Sequence, residues 1–249
     1  MKTKDKKLSK KLSEIITLIY RFRFLSRDQI QTILQHKYHS RVLSWLNKLT
    51  KEKYLVKFYD KSFTTTASVY CLGNNGRKYL KEIKNVNLKP LSRVWKEKKY
   101  SKEFQEHCQL LADIYISLKD QYKDKLKFHT KTDLYGIENL IQSLPDAYFI
   151  INDKRFFLDI FDDIRPVFMR KRIKEYLEYY NSDQWHDNTD KPFPYIILIC
   201  PNRRIQNHLK FFIQNKLNGD DEPVFYLTNK DEFKEGFQIK NLYEVDPDE

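Results

Sequence analysis

A chain of 249 residues, 41 % apolar and 15 % aromatic, is long enough for two domains with cores of their own. It holds no run of about 18 apolar residues, which excludes a helical membrane span, and its basic start, residues 1–10, lacks the apolar stretch of a secretory signal. The net charge of +12 is uneven: residues 1–100 carry 25 Lys/Arg against 7 Asp/Glu, a net of +18, and the remaining 149 carry 21 against 27, a net of −6.

A strongly basic first part attracts a polyanion, and a mildly acidic second part does not. A basic surface kept for solubility would carry the same charge, so the folding pattern has to decide. Leu8, Leu12, Ile15, Ile16 and Ile19 recur at helical spacing and predict an amphipathic helix over residues 9–23. After a break at Phe24-Leu25, Ser26 stands three residues before Gln29 in a capping-box pattern. Ile30, Ile33 and Leu34 then supply the apolar face of a second, short helix. A third begins near His39 or Ser40, with the stripe Val42, Trp45, Leu46 and Leu49. Two short helices so closely joined have the spacing of a helix-turn-helix.

Residues 54–59 and 68–72 are rich in β-branched and aromatic side chains and predict the two strands of a hairpin. The polar connection between them, 60–66, holds Lys61 and three threonines. Gly73-Asn74-Asn75-Gly76 breaks the second strand before a basic helix over 77–84. Three helices followed by a hairpin make a winged helix-turn-helix, placed at residues 1–84.

That order gives the charge a use. Arg41, Ser44 and Lys48 fall at i, i+3 and i+7 on the third helix, on a face expected to lie opposite Trp45 and Leu49. A recognition helix sets such a face in the major groove, where Arg grips guanine O6/N7 and Ser reaches base edges. His39 and Ser40 open the same helix, and Lys48, Lys51 and Lys53 suit phosphates, which position without specifying. Lys61, at the tip of the wing, would touch backbone or minor groove. A merely solvated helix face, or a winged helix that binds protein, are the competing readings. His36 and His39 read as cap or surface residues rather than ligands.

Residues 85–100, with Pro90, Trp95 and five Lys/Arg, read as a basic linker. From 101 the pattern changes. Phe104, Cys108, Leu111, Tyr115 and Leu118 mark a long helix ending near Tyr122. Strand-like runs follow at 126–132, 147–151 and 155–161, the last two joined by the turn Asn152-Asp153-Lys154. A helix over 167–180, a wholly buried strand over 195–200, a helix over 203–214 and a strand near 224–227 complete a layered α/β domain over 101–249.

This order is also that of the PD-(D/E)xK restriction-endonuclease fold. Pro145-Asp146 opens one strand and Asp159 lies in the next, so the two carboxylates would hold Mg²⁺ and activate a water against a phosphodiester. The lysine that normally stands two residues after the second acid is replaced by Phe161. Asp162, Asp163 and Arg165 do not restore the motif, and Glu106 and His107 are further catalytic candidates on the long helix, His107 also reading as a structural histidine. The missing lysine and the acidic balance weigh against catalysis, with Mg²⁺ a cofactor only in a nuclease. Cys71, Cys108 and Cys200 have no metal-ligand or disulfide spacing and read as thiols of a reducing cytoplasm. No nucleophilic triad, zinc spacing or phosphate-binding glycine loop is found among only five glycines.

Several short segments together resemble the replication-relaxation family of plasmids and related mobile elements. They are Tyr-Arg-Phe-Arg-Phe-Leu-Ser-Arg-Asp-Gln-Ile at 20–30, Val-Tyr-Cys-Leu at 69–72 with Gly76, and Glu-His-Cys-Gln-Leu-Leu-Ala-Asp-Ile-Tyr at 106–115. Leu-Pro-Asp-Ala at 144–147 and Phe-Phe-Leu-Asp at 156–159 complete the set. The resemblance implies a DNA-binding protein acting in replication, relaxation or mobilisation of an extrachromosomal element, and it carries over no defined catalytic residue. The expectation is therefore an α+β protein, a winged helix followed by an endonuclease-like domain without catalysis. Its partners would be double-stranded DNA, a replication or mobilisation protein and, on paired half-sites, a second copy of itself; no membrane is involved. A divergent Mg²⁺-dependent nuclease and a winged-helix transcription regulator are the alternatives.

Overall fold

The computed structural model describes residues 8–59, 67–83, 88–93, 99, 101–138, 140–162, 164–217, 222–233 and 236–246. Lys61, Trp95 and Asp163 lie outside the described residues. The fold is mixed α+β, and it divides into two compact units, Met1–Ala112 and Asp113–Glu249. Among the described residues no helix is long and apolar enough to cross a membrane.

In the first unit, helix α1 (Lys10–Phe22) buries Leu12, Ile15, Ile16 and Ile19 on one face. It ends where Arg23 turns to φ 69 and returns its N–H to the Ile19 carbonyl. Strand β1 (Leu25–Ser26) leads directly into α2 (Arg27–Ile33). The expected capping box is present: the Gln29 N–H donates to Ser26 Oγ at 3.1 Å, and the Ser26 N–H donates to Gln29 Oε1 at 2.9 Å. Helix α3 (His39–Lys51) follows and buries Val42, Leu46 and Leu49. Strands β2 (Leu55–Phe58) and β3 (Val69–Leu72) pair antiparallel, and β1 adds to the far edge of β3, giving the order β1-β3-β2.

Helix α4 (Asn74–Glu82) starts three residues before the expected position and contains Gly76. Gly73 and Gly76 are needed for close approach rather than for a break: a Cβ on either would meet the carbonyl oxygen of Lys53 or Tyr54 at 2.5 Å or less. The stretch read as a linker holds a short helix, α5 (Leu88–Arg93), with Leu91 fully buried. The unit boundary also differs from the expected one at residue 100. It falls inside helix α6 (Lys102–Tyr122), because Cys108 and Phe104 on its first turns pack against Phe24 and Cys71. The shift in charge at 101 marks a change of surface, not of core membership.

The second unit is built on a six-stranded sheet of order β4-β5-β6-β7-β8-β9. Strand β4 (Leu126–Thr130) ends two residues short of the expected 132 and is followed by a single turn of helix, α7 (Lys131–Leu134). Strands β5 (Ala147–Ile151) and β6 (Lys154–Ile160) form a hairpin whose turn residues Asn152 and Asp153 take φ 47 and 66. Two left-handed residues match the twist of the flanking strands. Helix α8 (Pro166–Asn181) and a short α9 (Gln184–Thr189) lead to β7 (Tyr195–Cys200), which runs parallel to β6. Helix α10 (Arg203–Gln214) leads to β8 (Phe225–Asn229), parallel to β7, and β9 (Tyr243–Glu244) closes the edge antiparallel. Two successive crossovers of one hand place α8 and α10 on the same face of the sheet. Arg170 of α8 meets His208 of α10 at 3.0 Å and stacks over Phe212.

All three cysteines are buried. Burial, with Glu232 adding to it, pushes the Cys200 thiol up to about 12 from 9.0, and burial pushes the Tyr179 phenol to about 12 from 10.0. Values raised on folding give a contribution that is whole below the unfolded-state values and lost as pH rises through the folded ones. The urea midpoint should hold between about pH 7 and 8 and fall from about pH 9 upward. A thiol reagent at neutral pH should label no cysteine until urea is added. Labelling of the native chain at three thiols would contradict the burial.

Candidate nucleic-acid interface

Val42, Leu46 and Leu49 turn one side of α3 inward, so the opposite side is solvent-facing. His39, Ser40, Arg41, Ser44, Lys48 and Lys51 are all exposed there, as is Lys53 just beyond the helix. Asn47, which a reading by charge passes over, is exposed between Ser44 and Lys51 on the same side; its spacing of three from Ser44 and seven from Ser40 is the signal. Residues 29–51 contain Lys37, Arg41, Lys48 and Lys51 and no Asp or Glu. Among the described residues none of these four cations is in an ion pair. Tyr38, at the N-cap of α3, is also exposed, at 63 %.

Trp45 departs from expectation. It is half-buried at the edge of the core, not opposite Arg41, because residues four apart share a helix face. Its ring meets His36 edge-on at 4.9 Å, and the Arg41 guanidinium lies 5.9 Å from it. Arg41 is thus held beside an aromatic ring at the edge of the exposed face.

In the second unit, Asp146 and Asp159 are brought together by the β5–β6 register. The Asp146 N–H donates to Asp159 Oδ1 at 3.3 Å, and the Ile160 N–H donates to Asp146 Oδ2 at 3.0 Å. Arg172 and Tyr176, one turn apart on α8, were not singled out from sequence. The Arg172 Nε donates to Asp159 Oδ2 at 2.7 Å, and the Tyr176 hydroxyl donates to the same oxygen at 2.7 Å. Arg172 also reaches Tyr176 Oη at 2.8 Å and Glu175 at 3.2 Å. Burial opposes the guanidinium charge, but the Asp159 carboxylate outweighs it and raises the Arg172 pKa. Burial, reinforced by Asp159, holds the Tyr176 phenol protonated well above its usual range.

Lys131 Nζ lies 3.7 Å from Asp146 Oδ1. Phe161, where a lysine would complete the endonuclease pattern, is buried in the core of the unit. Both oxygens of Asp159 are therefore taken by protein donors, and Arg172 supplies the positive charge that a metal would bring. This donor set does not fit Mg²⁺. Glu106 and His107 belong to the part of α6 within the first unit. Glu106 is exposed and pairs with Lys102 at 3.7 Å, and His107 stacks on Phe104.

The sequence matches the replication-relaxation family model over residues 16–196. The chain belongs to the replication-relaxation family. Within this member the match runs from α1 in the first unit to β7 in the second, so it takes in both the α3 face and the Asp146–Asp159 pair. The solved structure of a mutant of ZitR from Lactococcus lactis is 18 % identical over 49 % of this chain and 81 % of its own, with a TM-score of 0.28. No curated protein is detectably similar to this family member in sequence.

Proposed function

We propose that the first unit is a winged helix that binds duplex DNA through α3. The second unit is an endonuclease-like α/β domain used as a scaffold, and the protein serves replication, relaxation or mobilisation of a plasmid or other mobile element. The observation that carries this is the solvent-facing side of α3, with Arg41, Ser44, Asn47, Lys48 and Lys51 exposed and no carboxylate on the helix. The order α1-β1-α2-α3-β2-β3, with α2 and α3 closely joined and a three-stranded sheet beside them, supports it. Arg41 and Asn47 have the chemistry to read guanine and adenine edges, and Lys48 and Lys51 to hold phosphates.

Selection of a randomised duplex library by the full chain, with Mg²⁺ present, tests this. A defined motif should be enriched, palindromic if two copies bind paired half-sites. Arg41→Ala should then cost about 1–3 kcal/mol on the selected site and relax one base position. Lys48→Ala should weaken all duplexes alike and lower the salt slope by about 1. Equal loss from Arg41→Ala on selected and random duplex would reduce Arg41 to a phosphate contact, and no retention of duplex would overturn the proposal.

A second reading, a Mg²⁺-dependent nuclease, draws on the pairing of Asp146 and Asp159 with Lys131 nearby. An ion there would have to displace Arg172 and Tyr176 from Asp159, which weighs against it. Duplexes returned cut from the same selection would favour it.

A further inference from the structure

The second unit is acidic overall, but its cations are not spread evenly. Residues 113–249 hold 20 Lys/Arg and 25 Asp/Glu. Ten of the 20 fall in two stretches, 164–174 and 191–219, and none of the 25 acids does. These stretches contain the first half of α8 and all of α10, the two helices that lie side by side on the sheet. The fold therefore gathers two acid-free segments, distant in sequence, into one basic surface.

Lys171, Lys174, Arg203 and Arg204 are exposed on it, and among the described residues none of them is in an ion pair. Two phenyl rings stand out from the same helices, Phe168 at 57 % and Phe211 at 64 % exposure. Both helices have other apolar residues to bury, Met169, Ile173, Leu209 and Ile213, so these rings are not demanded by the core.

We propose that the α8–α10 surface binds single-stranded nucleic acid. Unpaired cations follow a phosphate backbone, and exposed aromatic rings give unpaired bases a face on which to stack. Duplex DNA keeps its bases stacked inside and has no use for the phenyl rings. An anionic membrane would use both features, but an interfacial helix needs a continuous apolar face; Met169, Ile173, Leu209 and Ile213 are buried in the core of the unit, which leaves Val167, Phe168 and Phe211 exposed rather than such a face. The surface belongs to the second unit and α3 to the first, and the inference goes beyond the duplex reading.

The test is fluorescence anisotropy of the full chain with labelled oligo-dT of about 30 nucleotides, long enough for several site sizes, and with oligo-U beside it to show which sugar is preferred. Wild type should bind. Joint change of Lys171, Lys174, Arg203 and Arg204 to Ala should weaken binding more than tenfold and flatten the salt slope by about 3, at about 0.7 for each phosphate no longer neutralised. Phe211→Ala should weaken it about tenfold at an unchanged salt slope. Both variants should keep wild-type duplex binding, and Arg41→Ala should keep binding to oligo-dT. If the fourfold variant does not fold, Phe211→Ala alone decides. Wild-type affinity in the Phe211 variant, or binding only to phosphatidylserine vesicles with oligo-dT ignored, overturns the proposal.

Discussion

Arg172→Ala should lower the stability of the second unit by about 3–5 kcal/mol, the cost of leaving one partner of a buried ion pair alone. The side chains of Arg172 and Asp159 are only 12 % and 9 % exposed, so water cannot take the place of the missing guanidinium. Its removal strips Asp159 Oδ2 of its only cationic donor among the described residues and leaves the Tyr176 hydroxyl to share a bare carboxylate. It also frees the Glu175 carboxylate that Arg172 reaches at 3.2 Å. The double change Arg172→Met with Asp159→Asn removes charge from both sides and should recover most of the loss, since paired replacement of a buried ion pair is often near neutral. Urea unfolding of the full chain measures both variants, with duplex binding as the control that the first unit is intact. A wild-type midpoint for Arg172→Ala would mean the network contributes nothing, and would reopen the carboxylates to another use.

Gly76→Val should cost about 3 kcal/mol, at the upper end of what overpacking does. The first atom of any side chain at 76 would collide with the Tyr54 carbonyl oxygen and stand 2.7 Å from Leu72 Cδ1. The backbone there has little freedom to give way. Tyr54 O already accepts the Gly73 N–H at 2.7 Å, and Lys53 just before it is held at φ 58. Alanine would gain about 1 kcal/mol of helix propensity over glycine and still meet the same carbonyl. The Val variant should therefore melt well below the Ala variant, and both below wild type. Because this approach ties α4 to the entry of β2, duplex binding should fall with the fold and return when the temperature is lowered. Unchanged melting in the Val variant would show that the segment at Tyr54 yields easily.

Asp146 and Asp159 were legible as a pair because strand period and turn chemistry set the β5–β6 register, and the turn at Asn152-Asp153 is a local signal. Arg172 and Tyr176 were not legible as their partners. They lie on α8, and which strand a helix residue meets is decided by how the crossover packs. Phe161 likewise read as a missing lysine, whereas its position points into the core, where a lysine's charge would cost free energy.

What the sequence determined by itself was local: the Ser26–Gln29 capping box, the start of α3 near His39 or Ser40, β7 over Tyr195–Cys200 and α10 over Arg203–Gln214, all spaced within one element. The asymmetry of charge between the two halves was equally plain, since it needs only counting. Tertiary structure alone decided that Gly76 sits inside a helix against Tyr54, and that the first turns of α6 pack with the first unit. It also decided that Asp159 is neutralised by Arg172, and that two acid-free stretches lie side by side. The physical reason is the same throughout. Periodicity and capping are interactions between residues a few positions apart, whereas these pairings join elements whose neighbourhood is set by sheet order and crossover packing.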